Sequence, residues 1–182
     1  LRILAHFSKD PSLITAFNND QDIHSATASL VYKVPQENID PSMRRIAKIM
    51  NFGVIYGLSA HGMTRQTNLN YQESTSFING YFEKYPLIND YINTTKQLAL
   101  DNGYVETLSG RRRYIPEINN SNFQVRNAAE RMAINMPIQG TAADIIKIAM
   151  IKIQAQISHI GLNTKMLLQV HDELIFECPE GE

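Results

Sequence analysis

Seven prolines punctuate this 182-residue chain and mark where its helices are expected to start, kink or stop. A proline inside a helix forfeits a hydrogen bond, and its ring meets the carbonyl four residues back. Asp10-Pro11 and then Asn18-Asn19-Asp20 interrupt the first 33 residues, which read as short helices. Val34-Pro35 through Asp40-Pro41 reads as loop, because each proline biases the residue before it away from helix. A helix starts near Pro41-Ser42, where a missing amide costs little, and runs to Tyr56 or Gly57. Pro86 separates helices over 71–84 and 86–102, and Asn102-Gly103 ends the second. Between 104 and 116 the pattern predicts a hairpin turning at Ser109-Gly110. From Phe123 to about Ile157 it is helical, with a kink or split expected at Pro137. Ile138, Ala142, Ile145, Ile146, Ala149 and Ile153 are expected core residues of that segment. Two strands flank His171-Asp172-Glu173 near the end. The expected fold class is α+β, mostly α.

Composition narrows the function classes. With 43% hydrophobic and 19% charged residues, the chain is an ordinary globular protein rather than a disordered or collagen-like one. Its single cysteine, Cys178, excludes an internal disulfide and a multi-cysteine metal site, and suits a reducing cytoplasm. No apolar run of about 18 residues is present to span a bilayer, and the first residues lack the layout of a signal peptide. The chain opens without Met and stops soon after a strand-like run; both ends read as cuts in a longer protein. A net charge of −1 gives no overall reason to expect a nucleic-acid partner, so that reading must rest on local charge.

Local charge is uneven. No Asp or Glu occurs between Pro41 and Gln72, whereas Arg44, Arg45, Lys48 and Arg65 do. Arg44, Lys48, Phe52 and Tyr56 follow one another at steps of four, which sets them along one helix stripe. Cations can grip phosphate oxygens while an aromatic ring one or two turns on stacks against a base, so one nucleoside triphosphate would span the stripe. A solvated basic face with two core aromatics satisfies the same spacing.

The string Arg44-Arg45-Ile46-Ala47-Lys48-Ile49-Met50-Asn51-Phe52-Gly53-Val54-Ile55-Tyr56-Gly57 closely resembles motif B of the bacterial DNA polymerase I family, family A. Leu1-Arg2-Ile3-Leu4-Ala5-His6 resembles the tail of motif A, and Asp22-Ile23-His24 the family's fingers histidine segment. Gln169-Val170-His171-Asp172-Glu173 resembles motif C, and Gln139 to Lys147 another family block. Several motifs in the right order make the resemblance specific over essentially the whole chain.

The resemblance implies the fingers subdomain and part of the palm of a right-hand DNA polymerase. Residues 1–12 would be palm edge following motif A, 13–120 fingers, and 121–182 palm with the motif C hairpin; the thumb and upstream domains would lie outside the chain. Arg44 and Lys48 would bind the triphosphate, Phe52 would pack on the nucleoside, Tyr56 would sit beside the templating position, and His24 would assist at the phosphates. Arg131, Asn135 and Gln139 repeat a step of four and would meet minor-groove acceptors that every base pair offers. His171 would lie near the primer terminus, and Arg111, Arg112 and Arg113 against backbone phosphate. The implied partners are primer-template DNA and dNTP, the implied oligomeric state is a monomer, and no membrane is involved.

Phosphoryl transfer to a primer 3′-hydroxyl uses two Mg²⁺ ions about 3.5–4 Å apart, and hard Mg²⁺ calls for carboxylate oxygens. Asp172 is the expected ligand. Glu173 takes a secondary catalytic role, because adjacent strand residues face opposite ways. By the resemblance, the partner aspartate and the acidic residue that screens the ribose 2′-hydroxyl precede Leu1. The expectation is therefore that the intact protein synthesises DNA and these 182 residues alone do not. Two rival readings are a single-subunit RNA polymerase and a noncatalytic DNA-binding module.

Overall fold

The computed structural model describes residues 1–182, the side chains of Val54 and Ile55 excepted. Helix α1 spans Arg2–Ser8, α2 Pro11–Asn18 and α3 Ile23–Tyr32. Asp10 ties two helices together while fully buried. One of its oxygens accepts from Leu13 N at 3.1 Å, capping α2. The other accepts from Leu87 N at 3.3 Å in the first turn of α7, Pro86–Asn102. Both accept orphan amides that a helix start leaves without an internal partner.

Helix α4, Pro41–Ile55, begins where Asp40 accepts from Met43 N at 2.8 Å. It packs on α3 and on α5, Ala60–Gln66. Helix α6, Tyr71–Lys84, opens with a reciprocal cap: Asn70 takes Glu73 N at 2.9 Å, and Glu73 takes Asn70 N at 2.7 Å. Gly103, at φ 74°, ends α7 in the left-handed conformation that favours glycine. The predicted hairpin follows as β1, Tyr104–Glu106, antiparallel to β2, Arg112–Tyr114.

Helix α8 runs Phe123–Ile160, and the last hairpin pairs β3, Lys165–Val170, with β4, Glu173–Glu177. The main core joins Leu4, Leu13, Ile23, Met50, Met63 and Tyr81 with Ile134 and Ile138 of α8. A smaller core holds β1 and the Ile115–Ile118 turn against Ala129 and Ala133.

Two expectations about α8 are corrected. The helix is not split at Pro137, which is buried within it. The Tyr91 hydroxyl on α7 donates to the Ile134 carbonyl at 3.1 Å, giving an outside partner to the turn that the proline ring disturbs. Burial pushes the Tyr91 phenol up to about 12, so it stays a donor at neutral pH. Of the expected core residues only Ile138 is buried; Ala142 and Ile145 are exposed, and Ile146, Ala149 and Ile153 are half-buried. Burial on α8 is concentrated between Ala129 and Asp144, where α7, β1 and α1 reach it.

Candidate functional site

Helix geometry delivers the stripe on α4. Phe52 and Tyr56 are half-buried and stacked, with ring centroids 6.3 Å apart and planes 21° from parallel. The His24 ring, in the first turn of α3, lies 5.9 Å from Phe52. Lys48 is exposed one turn before Phe52. Arg44 is not free: its Nε donates to Asp22 at 2.6 Å across the α3–α4 junction. A concave region of about 610 Å³ opens beside the stripe, lined by Arg45, Lys48, Phe52, Tyr56, Ser59 and Arg131 among others. Arg45 therefore shares the cavity with Lys48, three residues on and on the same helix face, while Arg44 and His24 lie outside its lining. Gly57, at φ 70°, closes the end of α4; a Cβ there would lie 3.1 Å from Cγ of Arg131. Its missing side chain lets α8 approach the stripe.

Electrostatics follow from these contacts. Burial pushes the Asp22 carboxyl up. Hydrogen bonds from Arg44, from the Ser25 hydroxyl and from the Ser25 and His24 amides outweigh that and hold it at about 2. Asp22 is thus an anion that caps α3 and orients Arg44. Burial lowers the His24 pKa, and Arg44 and Lys48 lower it further against the opposing pull of Asp22. The ring is neutral at pH 7. Its Nδ1 lies 3.0 Å from Nδ2 of Asn51, a fully buried residue.

Arg131, Asn135 and Gln139 lie on α8 as expected, but they serve two surfaces. Arg131 borders the cavity beside α4, and its Nη1 donates to Asn127 at 3.0 Å. Asn135 and Gln139 line a second groove, also of about 610 Å³, together with Arg111, Arg112 and Arg113. Asn135 Oδ1 is buried and has no hydrogen-bond partner among the described residues.

The β1–β2 hairpin is seated on α8 at three successive contacts. Thr107 Cγ2 occupies the space where a Cβ on Gly140 would fall, at 2.6 Å. Leu108 N donates to the Thr141 hydroxyl at 3.2 Å. Asp144, buried, accepts from the Thr107 hydroxyl at 2.6 Å and from Arg111 Nε at 2.7 Å. The Thr107 hydrogen bond and the Arg111 charge hold the Asp144 carboxyl below its ordinary range, against desolvation. Arg112 pairs with Glu106 at 2.5 Å and lies over the Tyr104 ring. Two of the three arginines are thus neutralised locally, and Arg113 has no ion-pair partner among the described residues.

Asp172 sits exposed in the two-residue turn between β3 and β4, beside His171 at φ 54°. Glu173 is the first residue of β4, paired with Val170. Gln169 Nε2 donates to the His171 carbonyl at 2.7 Å. No hydrogen bond or ion pair among the described residues joins this turn to the α4 stripe. The Asp172 carboxylate is a hard oxygen donor of the kind Mg²⁺ takes. No group of three His, Cys, Asp or Glu able to hold a metal occurs among the described residues, so Asp172 alone does not complete a two-ion centre.

Sequence reasoning missed Asp22, Asn51 and Asp144. Each acts through a partner far away in the chain. Among the described helices none is long and apolar enough to cross a membrane.

The model of DNA polymerase family A matches residues 1–182. The chain is 50% identical over 181 residues to the thermostable DNA polymerase I of Thermus thermophilus, covering 100% of this chain and 22% of that protein. It is 49% identical over 182 residues to DNA polymerase I of Bacillus subtilis, covering 100% of this chain and 21% of that one. The chain thus spans about a fifth of the length of the curated relatives it matches. A solved structure described as the POL domain of Pol1 from M. smegmatis, in complex with DNA primer-template and dNTP, is similar with a TM-score of 0.94 and 48% identity. It is matched over 99% of this chain and 32% of that one.

Proposed function

Because this chain belongs to DNA polymerase family A, we propose that it carries the incoming-nucleotide site and the motif C part of the catalytic palm of a DNA-directed DNA polymerase. The observation that carries this reading is the cavity in which Lys48 and Phe52 of α4 and Tyr56 just beyond its end meet Arg131 of α8. Cation, aromatic and groove-reading side chains then border one volume. The parallel with the Pol1 structure bound to primer-template and dNTP supports it.

Residues 1–12 would belong to the palm edge, 13–120 to the fingers and 121–182 to the palm. Lys48 and Arg44 grip the triphosphate, Arg44 being aimed by Asp22. Phe52 packs against the nucleoside, and Tyr56 closes the templating side. His24 offers a ring N–H to phosphate. Arg131, Asn135 and Gln139 hydrogen-bond the minor-groove face of the terminal pairs, where purine N3 and pyrimidine O2 are present whatever the sequence. Asp172 would hold one Mg²⁺, with Glu173 and His171 flanking the primer terminus. Bound Mg²⁺ neutralises charge developing on the attacking and leaving oxygens. The remaining carboxylates of a two-ion centre are not among those these residues bring together. The polymerase would act as a monomer in the cytoplasm.

The test is steady-state primer extension by the intact polymerase carrying Lys48→Ala. Losing a charge-assisted phosphate contact should lower kcat/KM for dNTP roughly tenfold to a hundredfold, with primer-template affinity nearly unchanged. An unchanged kcat/KM would remove Lys48 from the site. A noncatalytic DNA-binding module would instead bind DNA with no nucleotide-dependent step.

A further inference from the structure

We propose that Asn51 is a positioning residue for nucleotide binding: its carboxamide, anchored on Thr27, fixes the His24 ring and keeps the imidazole proton on Nε2, the nitrogen left for phosphate. The inference rests on the reading that His24 contacts the triphosphate, and it adds what makes that contact possible.

Asn51 is fully buried on α4, one residue before Phe52. A buried carboxamide costs free energy unless its ends are paired, and here both are. Nδ2 lies 3.0 Å from His24 Nδ1. Oδ1 accepts from the Thr27 hydroxyl at 3.0 Å. Thr27 is itself buried on α3, three residues beyond His24 and on the same helix face. An amide nitrogen only donates, so His24 Nδ1 must offer a lone pair. In a neutral ring the single proton then sits on Nε2. The Phe52 ring, 5.9 Å away, limits ring rotation on another side.

The alternative state of this relay is equally well defined. The Thr27 hydroxyl also lies 2.8 Å from the Ile23 carbonyl. Were the Asn51 amide reversed, Thr27 would donate to that carbonyl and accept from Nδ2, and Oδ1 would receive a proton from Nδ1. A neutral His24 in that state would turn a bare lone pair toward phosphate and repel it; only an imidazolium would still donate from Nε2. The charged groups facing the ring are Arg44 and Lys48 on α4 and Asp22 at the start of α3. The two α4 cations favour the neutral ring, which the observed amide orientation serves. Asn51 therefore selects the tautomer that binds at the pH where burial and the two cations keep His24 uncharged.

The test uses the intact polymerase labelled with nitrogen-15 histidine, the His24 signals being assigned by their loss in His24→Ala. Nitrogen shifts at pH 8 should report a proton on Nε2. Asn51→Asp presents only acceptors, so the proton should move to Nδ1. The KM for dNTP should then rise roughly tenfold at pH 8 and recover toward pH 6, as the imidazolium regains Nε2–H, with little change in kcat. Asn51→Leu should raise KM without that recovery; should it fail to fold, the near-isosteric Asp variant carries the test. A His24 proton still on Nε2 in Asn51→Asp, or a KM raised equally at both pH values, would overturn the proposal. An unchanged KM in His24→Ala would instead refute the phosphate contact, while the nitrogen shifts still report whether Asn51 sets the tautomer.

Discussion

Replacing Gly140 by Ala on α8 should destabilise the seat of the β1–β2 hairpin, whereas the same replacement at Gly80 on α6 should stabilise the protein. Inside a helix, Gly→Ala gains about 1 kcal/mol from backbone entropy. At Gly80 nothing lies within 4 Å of the added Cβ, so that gain stands alone. At Gly140 the Cβ arrives 2.6 Å from Cγ2 of Thr107, roughly 1 Å inside a comfortable carbon–carbon contact. Thr107 cannot yield cheaply. It is 6% exposed; its hydroxyl donates to Asp144 at 2.6 Å and accepts from Arg111 N at 3.2 Å. Overpacking of a fixed neighbour costs about 1–3 kcal/mol. The propensity gain is common to both variants, so their difference isolates this cost. Urea unfolding of the intact polymerase, read by hydrogen exchange at the Leu108 and Arg111 amides, measures it locally. Faster exchange there in Gly140→Ala, accompanied by weaker primer-template binding, is expected. If Gly140→Ala gained as much stability as Gly80→Ala, with unchanged exchange, the hairpin would not be seated as described.

Asp22→Asn probes the α3–α4 junction through pH. The folded pKa is depressed from an ordinary 3.8 to about 2, so the carboxylate's contribution is full above about pH 4 and is lost as pH falls toward 2. The Asn variant should therefore show a shallower loss of stability across that window in acid unfolding, the effect trimmed because the side chain is 40% exposed. Arg113→Ala should weaken DNA binding across sequences and reduce the slope of log affinity against log salt by about 1; binding isotherms at several salt concentrations give the slope. Tyr91→Phe should lower stability by about 0.5–1.5 kcal/mol, the worth of the hydrogen bond to the Ile134 carbonyl, and thermal unfolding reads it.

Helix limits were legible because their causes are local. Pro11, Pro41 and Pro86 stand at first turns, and Gly103 and Gly161 close α7 and α8 with positive φ. Pro137 stands inside a continuous helix, and the α7 hydroxyl that meets the turn before it, on the Ile134 carbonyl, is announced by nothing near residue 137. The face shared by Ile138, Ala142 and Ile145 follows from helix period, yet period does not say which part of a face is covered. The α4 stripe was legible because steps of four are a property of one helix. The Asp22–Arg44 and Asp144–Arg111 pairs were not, since they span 22 and 33 residues and depend on how separate helices pack. Arg45 stands outside the steps of four, yet its step of three to Lys48 keeps it on the cavity side.

Helix α8 has 38 residues, and at 1.5 Å per residue it is about 57 Å long, with Pro137 about 35 Å from its last turn. The arginine hairpin grips the helix beyond the proline, at Gly140, Thr141 and Asp144; past Asp144 the helix leads to the strand pair that presents Asp172. Such a beam multiplies angle into distance. A change of about 5° in bend just past Asp144, about 24 Å from the last turn, would swing that turn sideways by about 2 Å, while misplacing a reacting group by about 1 Å can already cost a hundredfold in rate. Small adjustments at the Asp144–Arg111 contact would therefore be amplified toward the acidic turn, through the mechanics of one rod rather than through any side chain that touches both places.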